Sequence, residues 1–218
     1  MKLYCSSDPH SRIVRIFAAE KGLGLPLQVI VNGSGETRRG PHLERNSFGQ
    51  VPVLETDEGA FFAESTVICE YLEELNPARP LIGATPAERA ECRMWVRRID
   101  LNICVPIHYG FRWTRSASLE FPAVEPAPAA AAAMRATALS NLAWLDQQIA
   151  GQAFVCGDRF TLADIVLLVF VERGIATGQI VEGDMPALAR WLDEVRSREA
   201  LQQMPDLASG QQQLSGTV

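Results

Sequence analysis

The chain has 218 residues and a formal net charge of −6, with 47% apolar and 21% charged residues. This mixture can bury a core, which argues against a disordered chain. The acidic balance argues against a nucleic-acid-binding protein, and no apolar run approaches the roughly 20 residues of a membrane span. We therefore expect a globular protein that binds neither nucleic acid nor a membrane.

The N-terminus, MKLYCSSDPH, lacks the apolar stretch of a signal peptide, which favours a cytoplasmic location. The five cysteines are scattered, without a CxxC pair or a Cys/His cluster, so we expect no metal site. Most of them are expected to be small core residues in a reducing compartment.

The first third of the chain alternates strand and helix patterns. Four segments have the apolar character of short strands: 2–5, 27–31, 51–55 and 60–62. Helices are predicted at 11–23, at 65–75 and, short and irregular, within the polar stretch 33–46. The order βαβαββα predicts a small mixed sheet with helices on both faces.

Two short stretches in this third have the character of a ligand site. Pro52 begins a strand, and a cis proline there would bend the chain and present the backbone of Val51 to a ligand. Ser65 follows Glu64 at a helix start, where a hydroxyl cap and free N–H groups suit a carboxylate. Taken singly, each feature also fits an ordinary strand start or a plain helix cap.

The rest of the chain is predicted to be helical. A long helix runs to about residue 115, and Pro106 should kink or interrupt it. The alanine run 129–133 predicts a further helix, and the apolar segment 165–171 predicts one at the centre of a bundle. An amphipathic helix around 188–195 comes last.

Thr161 and Asp164 match a capping box in front of the apolar segment. This pattern predicts a helix start at residue 162. We interpret it as a structural feature with no chemistry of its own.

These motifs, in this order and spacing, resemble the cytosolic glutathione transferase superfamily along nearly the whole chain. The matching stretches include SRIVRIFAAEKGL at 11–23, NSFGQVPVLETDEG at 46–59, AESTVICEYLEEL at 63–75 and GDRFTLADIVL at 157–167. In detail the chain is similar to the bacterial and fungal branch with a theta-like or yeast-like first domain. The resemblance implies an α+β thioredoxin-like domain at 1–78, a linker at 79–86 and an all-α helical-bundle domain at 87–218.

By the same resemblance, the first domain binds glutathione and the second carries the pocket for an electrophile. The residues assigned to glutathione are Arg38, Gln50, Val51, Pro52, Glu64 and Ser65. The Val51 backbone would pair with the cysteinyl part, and Glu64 and Ser65 would hold the γ-glutamyl end. Arg38 and Gln50 are candidates for the glycine carboxylate and neighbouring polar contacts, although Arg38 also fits a solvated face.

At the position of the thiol-activating group, the sequence departs from the family pattern. The position where many family members carry a catalytic Ser or Cys falls on Asp8, and a carboxylate there would raise the pKa of a thiol. Asp8 followed by Pro9 is a strong helix start, so we expect Asp8 to cap the first helix. Ser7, and after it Ser6, is then the candidate thiolate donor, unless both belong to a solvated loop.

Two further routes to catalysis stay open. Cys5 would support a mixed disulfide with glutathione, or it ends the first strand and packs inward. His108 would hold a water or donate to sulfur, or it is an ordinary helix histidine. The cluster around it suits an apolar electrophile pocket and comprises His108, Tyr109, Phe111, Trp113 and Thr114. His10 and His42 are expected on the surface.

The main hypothesis is a glutathione transferase that stabilises the thiolate for attack on an electrophilic, largely apolar second substrate, with no metal. One alternative is glutathione-dependent disulfide exchange or reduction through Cys5. Another is a non-catalytic binding or interaction protein with the same fold. The resemblance also implies a homodimer, and the second substrate stays open.

Overall fold

The computed structural model describes residues 1–31, 34–119, 124–181, 183–204 and 207. Its contacts divide into two compact units. The first unit comprises Met1–Arg79 together with the C-terminal segment from Glu199, and the second comprises Pro80–Arg198. The short helix Glu199–Gln202 therefore groups with the first unit, whereas the sequence had assigned all of 87–218 to the helical domain.

The first unit is built on a four-stranded mixed sheet. Its strands are β1 (Lys2–Cys5), β2 (Leu27–Val29), β3 (Val53–Glu55) and β4 (Phe61–Ala63), in the spatial order β2-β1-β3-β4. β1 runs parallel to β2 and antiparallel to β3, and β3 pairs antiparallel with β4. A parallel pair needs a crossover connection, which the helix between β1 and β2 provides.

The described helices of the first unit are α1 (Pro9–Glu20), α2 (Gly40–Arg45), α3 (Ser65–Leu75) and α9 (Glu199–Gln202). α1 packs against α3 and α9. α1 begins earlier than the predicted residue 11, since Asp8 caps it and Pro9 is its first residue. The irregular stretch contains a 3₁₀ turn at Glu36–Arg38 before α2, and Gly33 lies outside the described residues.

Alternation along β1 separates two faces of the sheet. Leu3 and Cys5 are fully buried on one face, and Tyr4 lies on the other. Tyr4 forms a buried cluster with Ile30 and Val53, against which Val51 packs. This cluster anchors the segment that leads into β3.

The second unit is helical, with an irregular connection in front of its central helix. Its helices are α4 (Pro86–Ile99), α5 (Val105–Arg112), α6 (Pro128–Gln148), α7 (Leu162–Ala176) and α8 (Pro186–Arg196). α7 contacts α4, α5 and α8, and it is buried on every side over the predicted segment 165–171. Within the described ranges, none of the helices combines the length and apolar character that a membrane crossing requires.

The long helix predicted to residue 115 is interrupted just before Pro106. Asp100–Cys104 forms a π-helical segment, in which the Val105 N–H donates to the Asp100 carbonyl, five residues back. Proline has no N–H and cannot donate the next α-helical hydrogen bond, and the π-helical turn in front of it shifts the hydrogen bonding from the fourth to the fifth preceding residue. Pro106 then lies in the first turn of α5, where a missing N–H costs little.

Asp164 organises the start of α7. Thr161 and Asp164 form the predicted capping box. The Asp164 carboxylate also accepts hydrogen bonds from the Val155 N–H at 2.8 Å and from the Trp191 indole N–H at 2.9 Å. Burial holds the pKa of this carboxyl above its usual range, although the hydrogen bonds that it accepts oppose the shift. One side chain thus joins α7 to the preceding loop and to α8.

Candidate functional site

The segment in front of β3 and the start of α3 lie beyond the same end of a strand pair. β3 and β4 pair antiparallel with Val53 opposite Ala63, so Val51 and Ser65 lie just past that end. The Val51–Pro52 peptide bond is cis. Among the described residues, neither the N–H nor the C=O of Val51 has a hydrogen-bond partner. An extended peptide ligand finds an open backbone edge here.

Glu64 begins α3 in an unusual backbone conformation, with φ 67° and ψ 116°. A residue other than glycine in such a region costs on the order of 1–3 kcal/mol, and this strain concentrates at functional sites. The predicted Ser65 cap is wrong, because Glu64 occupies the N-cap position and Ser65 is the first helical residue. No side chain in the described part of the chain caps this helix, so the N–H groups of its first turn are open to an anion.

The peptide that precedes Val51 is held from behind by α2. The carbonyl of Gln50 accepts a hydrogen bond from Asn46 Nδ2 at 2.9 Å and lies 3.0 Å from His42 Nε2. The sequence placed His42 on the surface, but it is 1% exposed. A helix of six residues is too short for its periodicity to reveal a buried face, which is why this contact was missed.

The predicted carboxylate contacts, Arg38 and Gln50, both flank this turn. Arg38 is exposed, and its Nη1 donates to the Phe48 carbonyl at 2.9 Å. Gly49 has φ 62°, and a Cβ there would lie 2.6 Å from the Thr37 carbonyl oxygen, so the turn requires glycine. The guanidinium keeps further donors beyond the one that it uses, and the Gln50 side chain is exposed.

Asp8 caps α1, as predicted. Its Oδ1 accepts from the N–H groups of His10 and Ser11 at 2.8 and 3.1 Å, and its Oδ2 accepts from the hydroxyls of Ser6 and Ser11. The Ser6 hydroxyl in turn accepts from the Asp8 N–H at 3.2 Å. Ser6 is buried within this network, which disfavours it as a thiolate donor, whereas Ser7 in the same loop is exposed.

Cys5 ends β1 inside the core and is fully buried. Burial raises the pKa of its thiol to about 11; Asp8 adds to the shift and Arg15 opposes it. At neutral pH only about one molecule in ten thousand would then carry the thiolate. A buried, protonated thiol is poorly suited to attack a disulfide, so the geometry argues against exchange through Cys5.

The centre of the predicted electrophile cluster lies on α5, in the second unit. The rings of His108 and Tyr109 meet edge to face with centroids 5.2 Å apart, and those of Tyr109 and Trp113 are 4.6 Å apart. Arg112 Nη1 lies 3.4 Å from His108 Nε2. Because a guanidinium only donates, the His108 ring accepts there and carries its proton on Nδ1. These side chains form a half-buried aromatic face with a cation beside it.

The other two members of the predicted cluster have contacts of their own. The guanidinium of Arg173, on α7, lies 4.6 Å from the centre of the Phe111 ring. The Thr114 hydroxyl donates to the Phe111 carbonyl at 2.7 Å and shares a hydrogen bond with Ser116. The structure therefore brings together His108, Tyr109 and Trp113, with Phe111 and Thr114 nearby in sequence but differently engaged.

Comparisons with known proteins agree with this architecture. The family model described as "Glutathione S-transferase, N-terminal domain" matches residues 9–75, and "Glutathione S-transferase, C-terminal domain" matches residues 128–194. A glutathione S-transferase of Pseudomonas putida is 32% identical over 176 residues, which cover 81% of this chain and 75% of the relative. Glutathione S-transferase 2 of Saccharomyces cerevisiae is 28% identical over 209 residues, which cover 93% and 88%.

A solved structure shows the same fold. The crystal structure of a glutathione S-transferase domain-containing protein from Marinobacter aquaeolei has a TM-score of 0.85 at 29% identity and covers 92% of this chain and 100% of its own. The N-terminal family match includes the cis proline and the start of α3. The chain therefore belongs to the glutathione S-transferase family.

Proposed function

We propose that this chain is a glutathione transferase, which binds glutathione on its first unit and directs the thiolate at an electrophilic, largely apolar second substrate. The observation that carries the proposal is the unpaired backbone of Val51 beside the uncapped start of α3. Relatives along most of the chain are named glutathione S-transferases, which supports the same activity.

Glutathione is a peptide with a charged group at each end and a cysteinyl unit in the middle. The Val51 N–H and C=O would form two hydrogen bonds with the cysteinyl backbone, as an added strand does. The γ-glutamyl carboxylate would lie at the first turn of α3, where N–H groups, the Ser65 hydroxyl and the helix dipole favour negative charge. The exposed Glu64 carboxylate would pair with the γ-glutamyl ammonium.

The glycine carboxylate lies at the other end of glutathione. Arg38 supplies an exposed guanidinium beside the turn that leads into Val51, and Gln50 supplies an exposed amide. A planar guanidinium suits a carboxylate, since it donates two parallel hydrogen bonds. These contacts, together with the cis Pro52 that follows Val51, complete the proposed glutathione site.

The protein must also stabilise the thiolate. A free thiol has a pKa of about 8.5, and lowering it by two units takes about 2.7 kcal/mol of differential stabilisation. We propose the hydroxyl of Ser7 as the donor to sulfur, because Ser7 is exposed whereas Ser6 and Cys5 are buried. His108 is the second candidate for the donor to sulfur, acting directly or through a water.

The reaction then needs no metal. The thiol proton leaves to solvent, the sulfur attacks an electrophilic carbon, and a C–S bond forms while the leaving group departs with its electron pair. We propose the aromatic face of α5 as the electrophile pocket, with His108, Tyr109 and Trp113 at its centre and Phe111 and Thr114 at its margin. Such a face suits an apolar, often aromatic, second substrate.

An ultraviolet pH titration of protein-bound glutathione tests this proposal. A bound thiol pKa well below the free value is expected, and Ser7→Ala should raise it again if Ser7 is the donor. His108→Ala tests the second candidate, and Cys5→Ser should change neither the pKa nor the rate with an activated aryl halide. No binding at millimolar glutathione would overturn the glutathione site, and binding with an unshifted pKa would overturn the thiolate mechanism.

A homodimer and a cytoplasmic location complete the proposal. Among the described residues, Phe48 is the large apolar side chain with the highest exposure, 73%, and Asn46 and Arg38 hold its backbone in place. We propose this exposed aromatic side chain as a contact with a second copy of the chain. All five cysteines are free, as in a reducing compartment. Sedimentation of wild-type protein and of Phe48→Ala tests the dimer.

A further inference from the structure

We infer that His42 is a positioning residue for glutathione: together with Asn46 it holds the Gln50 carbonyl and thereby sets the direction in which Val51 presents its N–H. This inference rests on the proposed function. It adds a residue that the family resemblance did not assign and that the sequence had placed on the surface.

His42 contributes a hydrogen-bond donor from inside the first unit. Its Nε2 lies 3.0 Å from the Gln50 carbonyl oxygen, which can only accept, so Nε2 carries the proton. Its Nδ1 is buried and has no partner among the described residues. An orphaned polar atom is unfavourable in a core, and an apolar residue of similar size would avoid it. The Nε2 donor is therefore the feature of His42 that an apolar residue cannot replace.

A side chain of α2 also contacts the sheet. The guanidinium of Arg45, on the same helix as His42, lies 4.3 Å from the centre of the Tyr4 ring. Tyr4 is 2% exposed, and its hydroxyl donates to Glu55 on β3 at 2.7 Å. Arg45 thus connects α2 to β1, and Tyr4 in turn connects β1 to β3.

The peptide group between Gln50 and Val51 transmits this position to the ligand site. The Val51–Pro52 bond is the cis peptide in the described chain, so the Gln50–Val51 bond is trans. In a planar trans peptide the C=O and the N–H point in opposite directions. Because His42 and Asn46 draw the Gln50 C=O toward α2, the Val51 N–H must point away from α2. No described residue accepts from that N–H, which leaves it for the cysteinyl carbonyl of glutathione.

Steady-state kinetics with glutathione varied at saturating electrophile tests the inference. His42→Ala should raise the glutathione KM by roughly three- to tenfold, the value of one hydrogen bond, with little change in kcat. His42→Gln should restore most of the affinity, because the amide nitrogen of glutamine lies close to the place of Nε2. Glu44→Gln is the control, since Glu44 is exposed on the same helix.

A second variant keeps the test decisive if His42→Ala does not fold. Asn46→Asp removes the donor to Gln50 but keeps the acceptor for the Phe48 N–H, which lies 3.1 Å from Asn46 Oδ1. It should raise the glutathione KM in the same way. An unchanged KM in folded His42→Ala or Asn46→Asp would overturn the inference, as would a loss in His42→Ala that glutamine does not rescue. Failure of the wild-type protein to bind glutathione would instead overturn the proposed function.

Discussion

Asp8 stands where the family resemblance places a thiol-activating Ser or Cys, and its hydrogen bonds predict a purely capping role. Its carboxylate accepts from two backbone N–H groups at the start of α1 and from the hydroxyls of Ser6 and Ser11. Loss of an N-cap costs about 1 kcal/mol, and each lost hydroxyl hydrogen bond about 0.5–1.5 kcal/mol. Asp8→Ala should therefore lower the free energy of unfolding by about 2–4 kcal/mol in urea denaturation.

The matched variant Asp8→Asn separates capping from charge. Asparagine caps a helix about as well as aspartate, so this variant should retain most of the stability. The Asp8 carboxylate already raises the pKa of the neighbouring Cys5 thiol, which shows the direction in which its charge acts. The pKa of protein-bound glutathione should consequently stay the same or fall in Asp8→Asn.

Ultraviolet titration of bound glutathione and urea denaturation of the same two variants distinguish a capping role of Asp8 from a direct role on the sulfur. A higher bound thiol pKa in Asp8→Asn, or a hundredfold loss of conjugation at unchanged stability, would refute the capping role. Asp8 would then act on sulfur itself, contrary to the sign expected for a carboxylate beside a thiolate.

Three further predictions concern the buried polar groups. Asp164→Ala leaves the Trp191 indole N–H and two backbone N–H groups unpaired. Urea denaturation should therefore show a free energy of unfolding lower by at least about 3 kcal/mol, and Asp164→Asn should lower it less. Lys21 has a fully buried side chain paired with Glu73, so Lys21→Met should lower the free energy of unfolding by about 3–5 kcal/mol. Combining Lys21→Met with Glu73→Leu should recover most of this loss, and no recovery would contradict the pairing. Burial raises the pKa of the Cys5 thiol from 9.0 to about 11, so between these pH values the folded state keeps a proton that the unfolded chain loses. This difference stabilises the folded state at lower pH, and that stabilisation is lost as the pH rises from 9 to 11. Wild-type protein should therefore lose about 2–3 kcal/mol more than Cys5→Ser over the same window, and equal losses would contradict the burial of Cys5.

Much of the fold was predictable, because its signals are local. The bounds of α3 are the predicted ones, and the capping box at Thr161 and the cap at Asp8 are present as expected. Each of these features depends on hydrogen bonds between a few residues that are neighbours in the sequence. The order of strands and helices followed from the same local patterns and from the rules of chain connection.

Within the candidate site, local patterns located the segments but not the state of each side chain. The sequence identified Val51 and Glu64, yet it mistook Ser65 for a cap, because the positive φ of Glu64 has no local signature. Ser6 and Ser7 are neighbours of the same type, and only the structure separates the buried hydroxyl from the exposed one.

The sequence by itself determined the family and the order of the elements, and it proposed the segments of the candidate site. The tertiary structure alone decided the burial of His42 under the turn, the inward packing of Cys5 and the grouping of α9 with the first unit. These facts depend on contacts between residues far apart in the chain. A short helix or a single side chain is buried by other segments that pack against it, and the periodicity of one segment does not reveal which segments those are.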